Sequence, residues 1–112
     1  MNQNTRTQRA ILRDRARAHR AAARIHRNGT ASLTTHAIAA GLRPAEARSV
    51  ASSLRRNATK LSITGQAARA HAGRRMRTTT RYTPQQVAQA AIAYRPRRAE
   101  YKMAKDRLTL AA

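Results

Sequence analysis

The chain has 112 residues, room for one small domain or for one domain carrying an ordered arm. Its 24 Lys and Arg face only four acids, and a compact body with a formal net charge of +20 repels itself unless something anionic neutralises it. The lack of cysteine excludes disulfides, thiolate metal sites and thiol redox chemistry, and no apolar run approaches the roughly 20 residues that cross a bilayer or the apolar stretch of a signal peptide.

All but three of the cations (Lys60, Lys102, Lys105) are arginine, whose planar fork suits phosphate and guanine edges better than an ammonium does. Codon bias accounts for Arg over Lys, but not for the missing acids. Leu, Ile, Val and Phe supply only 14 residues, so alanine must carry much of the packing. A thin core, low stability alone and a gain in order on binding are expected.

The first element is a long helix over Thr5 to Arg27, rich in Ala and Arg and free of Gly and Pro, stopped by Asn28-Gly29. Arg6, Arg9, Arg13, Arg17, Arg20, Arg24 and Arg27 recur at spacings of three and four and form one stripe, with Ile11, Ala18, Ala22 and Ile25 opposite. At ~1.5 Å per residue the stripe runs about 30 Å, close to one turn of duplex DNA. A solvated face normally mixes signs, whereas this one has almost no acid in reach, which favours phosphate over solvent as its partner. A membrane-surface helix is disfavoured, because Ile11, Leu12 and Ile25 are its only bulky apolar residues and no Trp or Phe is available to insert.

Leu33 to Leu61 then reads as two helices around a turn. Thr34 or Thr35 caps a short helix through Ala40, Gly41 supplies a positive φ, and Pro44 opens a second helix with Glu46 in its first turn. Leu42, Ala47, Val50, Leu54 and Leu61 make the apolar face of that second helix and its turn. The run A-I-A-A-G-L, with apolar residues six, nine and thirteen positions after Gly41, resembles the helix-turn-helix of winged-helix regulators of the MarR group over residues 33–61. Ala47 is smaller than the pattern prefers, and Arg43 stands where Ser or Asp usually caps. The resemblance implies that Pro44 to Ala58 is a recognition helix in the major groove, presenting Arg48, Ser49, Ser52 and Arg56 outward with Arg55 at the edge. The plain alternative is a helical hairpin in which Gly41 is only a C-cap.

Lys60 to Thr64 alternates like a short strand, and Arg75 to Tyr82 is Thr-rich like another. Between them, Gly65 to Gly73 reads as a wing tip bearing Arg69 and His71, although its Ala-rich centre also suits a helical turn. Thr83-Pro84-Gln85-Gln86 is a helix start with the pieces of a capping box. This helix should reach Tyr94, break at Arg95-Pro96 and resume through Arg107. Residues 82–108 faintly resemble the excisionase and MerR-type motif, without a Gly at the turn, while a dimerisation helix is the alternative use of this segment. Tyr94 and Tyr101 are expected to pack, and Arg95, Arg97 and Arg98 form a second basic cluster.

Four scattered acids cannot supply the paired carboxylates of hydrolases or a Mg²⁺-holding cluster, and neither a zinc-protease H-E-x-x-H nor a P-loop is present. No enzyme activity, metal, cofactor or small-molecule substrate is therefore expected. The expected fold is mainly α: a small winged helix-turn-helix domain (30–82) between a long Arg-rich N-terminal helix (1–29) and a C-terminal helical segment (83–112), with at most a short β-hairpin. The expected partner is nucleic acid, DNA before RNA, with homodimerisation open and no membrane, in the cytoplasm beside the nucleoid. The residues expected to bind it are Arg13, Arg17, Arg20, Arg24, Arg27, Arg43, Arg48, Ser49, Ser52, Arg55, Arg56, Arg69, Arg74, Arg75, Arg95, Arg97 and Arg98. The function expected is sequence-preferring regulation or recombination assistance of phage or plasmid type. The alternatives are a structural nucleic-acid-coating protein and, more remotely, a basic inhibitor that fills an acidic protein groove.

Overall fold

The computed structural model describes residues 3–111, apart from the side chains of residues 70–72, so the expectation placed on His71 lies outside the described residues. The chain is mainly helical. Its elements run α1 (Gln3–Asn28), α2 (Leu33–Ala39), α3 (Pro44–Lys60), β1 (Gln66–Ala72), β2 (Arg75–Arg81), α4 (Pro84–Ile92) and α5 (Ala99–Leu110).

At ~1.5 Å per residue α1 is about 39 Å long. Asn28 and Gly29 end it as expected: Gly29 takes φ 74° and its N–H donates to the Ile25 carbonyl at 2.8 Å. Its packing side overlaps the expected one in Ala18 and Ile25 but is rotated away from Ile11 and Ala22. Ala21 is buried and Ala10, Asp14, Arg17, Ala18 and Ile25 are half-buried, while Ile11 is 45% exposed and Ala22 lies in solvent. Small residues let α1 lie against α2, and Asp14 on the same side pairs with Arg43 of the α2–α3 turn at 3.5 Å.

Helix α2 is capped by Ser32, not by Thr34 or Thr35: the Ser32 Oγ accepts the Thr35 N–H at 3.2 Å. It closes with the Gly41 N–H on the Ile38 carbonyl (2.9 Å) and the Leu42 N–H on the Ala37 carbonyl (3.3 Å). This Schellman closure needs a left-handed residue, and Gly41 provides it at φ 102°. The buried Leu42 then anchors the turn into α3. Arg43 occupies the N-cap of α3 without a side-chain cap; instead the Glu46 carboxylate reaches back to accept the Arg43 N–H at 3.3 Å, and Pro44 fills the first helical position.

Helix α3 runs two residues past the expected Ala58, through Lys60, so no strand forms at 60–64. The Leu61 N–H donates to the Asn57 carbonyl, and a second Schellman closure follows, from the Ser62 N–H to the Thr59 carbonyl and from the Ile63 N–H to the Ala58 carbonyl at 2.9 Å. Ser62 accepts the positive φ of 56° that this requires. Leu61, expected in the core, is left 50% exposed as the chain turns, and Ile63 packs against the core in its place. The expected wing segment is itself strand β1. It pairs antiparallel with β2 from Gln66↔Arg81 to Ala72↔Arg75, so the tip is the two-residue turn Gly73-Arg74 and Arg69 sits mid-strand. Only Gly73 of these two has positive φ, 67°, the type II′ pattern that follows strand twist.

The hairpin is stapled to the helices at its base. Ala31 and Tyr82 form an isolated antiparallel bridge (Ala31 N–H to Tyr82 carbonyl 3.1 Å, Tyr82 N–H to Ala31 carbonyl 2.8 Å). The buried His36 of α2 lies 2.8 Å from the same Tyr82 carbonyl through Nε2. Gly65 is fixed by close approach: a Cβ there would lie 2.8 Å from the Arg81 carbonyl oxygen and 2.9 Å from the Tyr82 ring.

Thr83 and Gln86 close the expected capping box of α4: the Gln86 N–H donates to Thr83 Oγ1 (3.2 Å) and the Thr83 N–H to Gln86 Oε1 (2.9 Å). The amide of Gln86 also donates to the Thr64 carbonyl at 2.8 Å, tying α4 to the strand entry. The helix stops at Ile92, and α5 extends to Leu110 rather than Arg107. Leu54, Val50 and Val87 are the largest fully buried side chains, surrounded by Ala37, Ala47, Ala51, Ala90, Ala91 and Ala104. Tyr82 and Tyr94 join this core and Tyr101 packs against it. Among the described residues no helix is long and apolar enough to cross a membrane.

Candidate nucleic-acid interface

Helix α3 divides cleanly into two faces. Ala47, Val50, Ala51, Leu54 and Ala58 are buried, while Arg48, Ser49, Ser52, Arg55 and Arg56 are exposed, as the ~100° periodicity predicted. The Ser52 hydroxyl is turned back onto the Arg48 carbonyl at 3.1 Å, which leaves its oxygen lone pairs facing outward. Arg56 is steadied by the Ser53 hydroxyl at 3.3 Å. Among the described residues Arg48, Arg55 and Arg56 form no ion pair, so their charge is available to an outside anion.

The linker between α4 and α5 brings one further cation, Arg95, to this helix. Arg56, Asn57 and Lys60 of α3 line a cleft of about 410 Å³ with Tyr94 and Arg95. The Asn57 side-chain amide donates to the Ala90 carbonyl at 3.3 Å and holds α4 against α3. Burial, with Tyr101 nearby, pushes the Tyr94 phenol above its ordinary range, so it remains an O–H donor at neutral pH.

Three of the expected site residues are committed to acids. Arg17 pairs with Asp14 at 3.1 Å, Arg43 with the other Asp14 oxygen at 3.5 Å, and Arg98 with Glu100 at 3.4 Å and Glu46 at 4.0 Å. Arg98 also stacks over Tyr101, 4.9 Å from the ring centroid. Arg43 thereby links the α2–α3 turn to α1 and Arg98 links the start of α5 to α3, whereas the Arg17 pair stays within α1. Spacing sets where the cations lie on each helix, whereas the tertiary fold decides that Arg43 meets Asp14 and Arg98 meets Glu46.

The remaining expected residues are all exposed and fall on separate elements. Arg13, Arg20, Arg24 and Arg27 keep the α1 stripe, Arg69 lies on β1, Arg74 at the hairpin tip, Arg75 on β2, and Arg95 and Arg97 on the last linker. The sequence expectation missed Lys60, Arg77 and Arg81. Two-residue alternation puts Arg75, Arg77, Thr79 and Arg81 on one face of β2, opposite Ala72, Ala70, Ala68 and Gln66 of β1. The alternation of R-M-R-T-T-T-R carries that signal.

The apolar surface is scattered by comparison. Leu12, Ile92, Met103 and Leu110 are 55–83% exposed and lie on three different helices. No protein-family model, no curated protein and no solved structure matches this chain.

Proposed function

We propose that this protein binds duplex DNA with sequence preference, as a small winged helix-turn-helix regulator or recombination accessory factor of phage or plasmid type rather than as an enzyme. The observation that carries this reading is the outward face of α3, which offers guanidinium groups and small hydroxyls without a carboxylate, on a helix fastened by five buried residues. Short Ser side chains permit close approach to base edges, and arginine forks match the guanine O6 and N7 pair. The order α2, turn, α3, hairpin, with Ala31 bridging back to Tyr82, supports the same reading. Neither a cofactor nor a small substrate has a role in it, and the protein would reside with the nucleoid.

A packaging or coating role on nucleic acid is the second reading, favoured by the exposed arginines of α1, which suit any phosphate backbone.

Selection from random duplexes separates the two. Wild-type protein should return a motif, and Arg48→Gln with Arg56→Gln should relax it, since each bidentate base contact discriminates by about 1–3 kcal/mol. Strong binding that returns no motif would favour packaging, and tighter binding to structured RNA than to duplex would remove the regulator reading.

A further inference from the structure

We infer that the cleft between the C-terminal turn of α1 and the base of β2 holds a backbone phosphodiester of a nucleic-acid strand, at the point where that strand passes from the hairpin to α1. This rests on the nucleic-acid reading above and adds a site to it; no residue of α3 lines the cleft.

The cleft measures about 260 Å³ and is lined by Arg24 and Asn28 of α1, Thr30, and Thr79 and Arg81 of β2, together with the start of α2. Two guanidiniums, a carboxamide and four hydroxyls, of which those of Ser32 and Thr35 hydrogen-bond each other, therefore line it with no carboxylate among them. Among the described residues neither Arg24 nor Arg81 forms an ion pair, so the site holds two positive charges that the fold leaves uncompensated. Guanidinium forks with hydroxyl donors match the oxygens of a phosphate.

The surroundings point to a chain of phosphates rather than a lone anion. On one side, Arg75 and Arg77 share the β2 face with Thr79 and Arg81, a row of about 20 Å at ~3.4 Å per residue. On the other side, Arg20 and Arg13 continue the column of Arg24 up α1 for about 16 Å more at ~1.5 Å per residue. Half-burial of Thr79 and Arg81, beside full exposure of Arg75 and Arg77, shows that the β2 row enters the body at the cleft and leaves it toward the tip.

The test is a salt series on the full-length protein, titrated into a selected duplex and a scrambled duplex. The double variant Arg24→Gln, Arg81→Gln should weaken both duplexes by the same factor and reduce the slope of log affinity against log salt by about two. The double variant Arg24→Lys, Arg81→Lys should keep the slope and controls for folding. An unchanged slope in the Gln variant, with wild-type binding intact, overturns the site and leaves the α3 reading standing; wild-type protein that binds no polynucleotide at low salt overturns both. In parallel, amide resonances of Thr79 and Arg81 are followed with inorganic phosphate and with a short duplex. Tighter response to the duplex supports the strand assignment, whereas equal or tighter response to inorganic phosphate overturns it.

Discussion

Helices α1 and α3 both display rows of arginine, yet α1 buries one side chain, Ala21, along 26 residues, and α3 buries five along 17. Under the proposed function the same cation would serve two purposes. On α3 the backbone is held from behind by Val50 and Leu54, so its arginines are offered at fixed positions, which reading base edges requires. On α1 the attachment is a strip of small residues and the Asp14–Arg43 ion pair, so its arginines would contribute charge along a line more than geometry at a point.

The comparison is sharpest in stability. Leu54→Ala removes a fully buried side chain from the centre of the core and should cost about 2–5 kcal/mol, read from urea unfolding. His36→Ala comes next: it removes one of the two hydrogen bonds held by the Tyr82 carbonyl, which keeps its bond from the Ala31 N–H, at about 0.5–1.5 kcal/mol. Asp14→Asn loosens α1 through half-exposed ion pairs and should cost less than about 1 kcal/mol, and less still in high salt. Leu12→Ala, 62% exposed on α1, should move stability by no more than about 0.5 kcal/mol. If Leu12→Ala approached Leu54→Ala in cost, α1 would have to be a clamp rather than an appended charged arm.

His36 also makes a pH prediction. Burial holds its pKa below the ordinary 6.5, against the opposing pull of the Tyr82 and Ala31 carbonyls. Above that value the imidazole is neutral in both folded and unfolded chains, and its contribution is fully present. As pH falls through 6.5 the unfolded chain takes the proton first, so stability declines toward acid. The urea midpoint should therefore drop between pH 8 and pH 5 by more in wild type than in His36→Gln.

How much of this was legible beforehand depends on which interactions are local. The capping box of Thr83 and Gln86, the Pro44 start, the Gly41 turn and the outward face of α3 rest on residues a few positions apart, and spacing located them. The strand expected at 60–64 failed because K-L-S-I-T alternates suitably, while the backbone of Asn57, Ala58 and Thr59 captured its N–H groups and extended the helix. Strand β1, Q-A-A-R-A-H-A, carries almost no intrinsic strand preference; its pairing with the Thr-rich β2 is what makes it a strand. The orientation of α1 was hidden for the same reason, since it is set where the helix packs on α2 and Asp14 meets Arg43, far along the chain. His36 gave no signal at all, because its role exists only where α2 meets the Ala31–Tyr82 bridge.

The core built from Ala37, Ala47, Ala51, Ala90, Ala91 and Ala104 has a consequence for how this protein tolerates change. A methyl group has little left to lose, so damage at these six positions comes from enlargement: a Val or Leu pushes neighbouring helix axes apart instead of leaving a hole. Random mutation would strike such a molecule asymmetrically, sparing it most truncations while closing off growth from within.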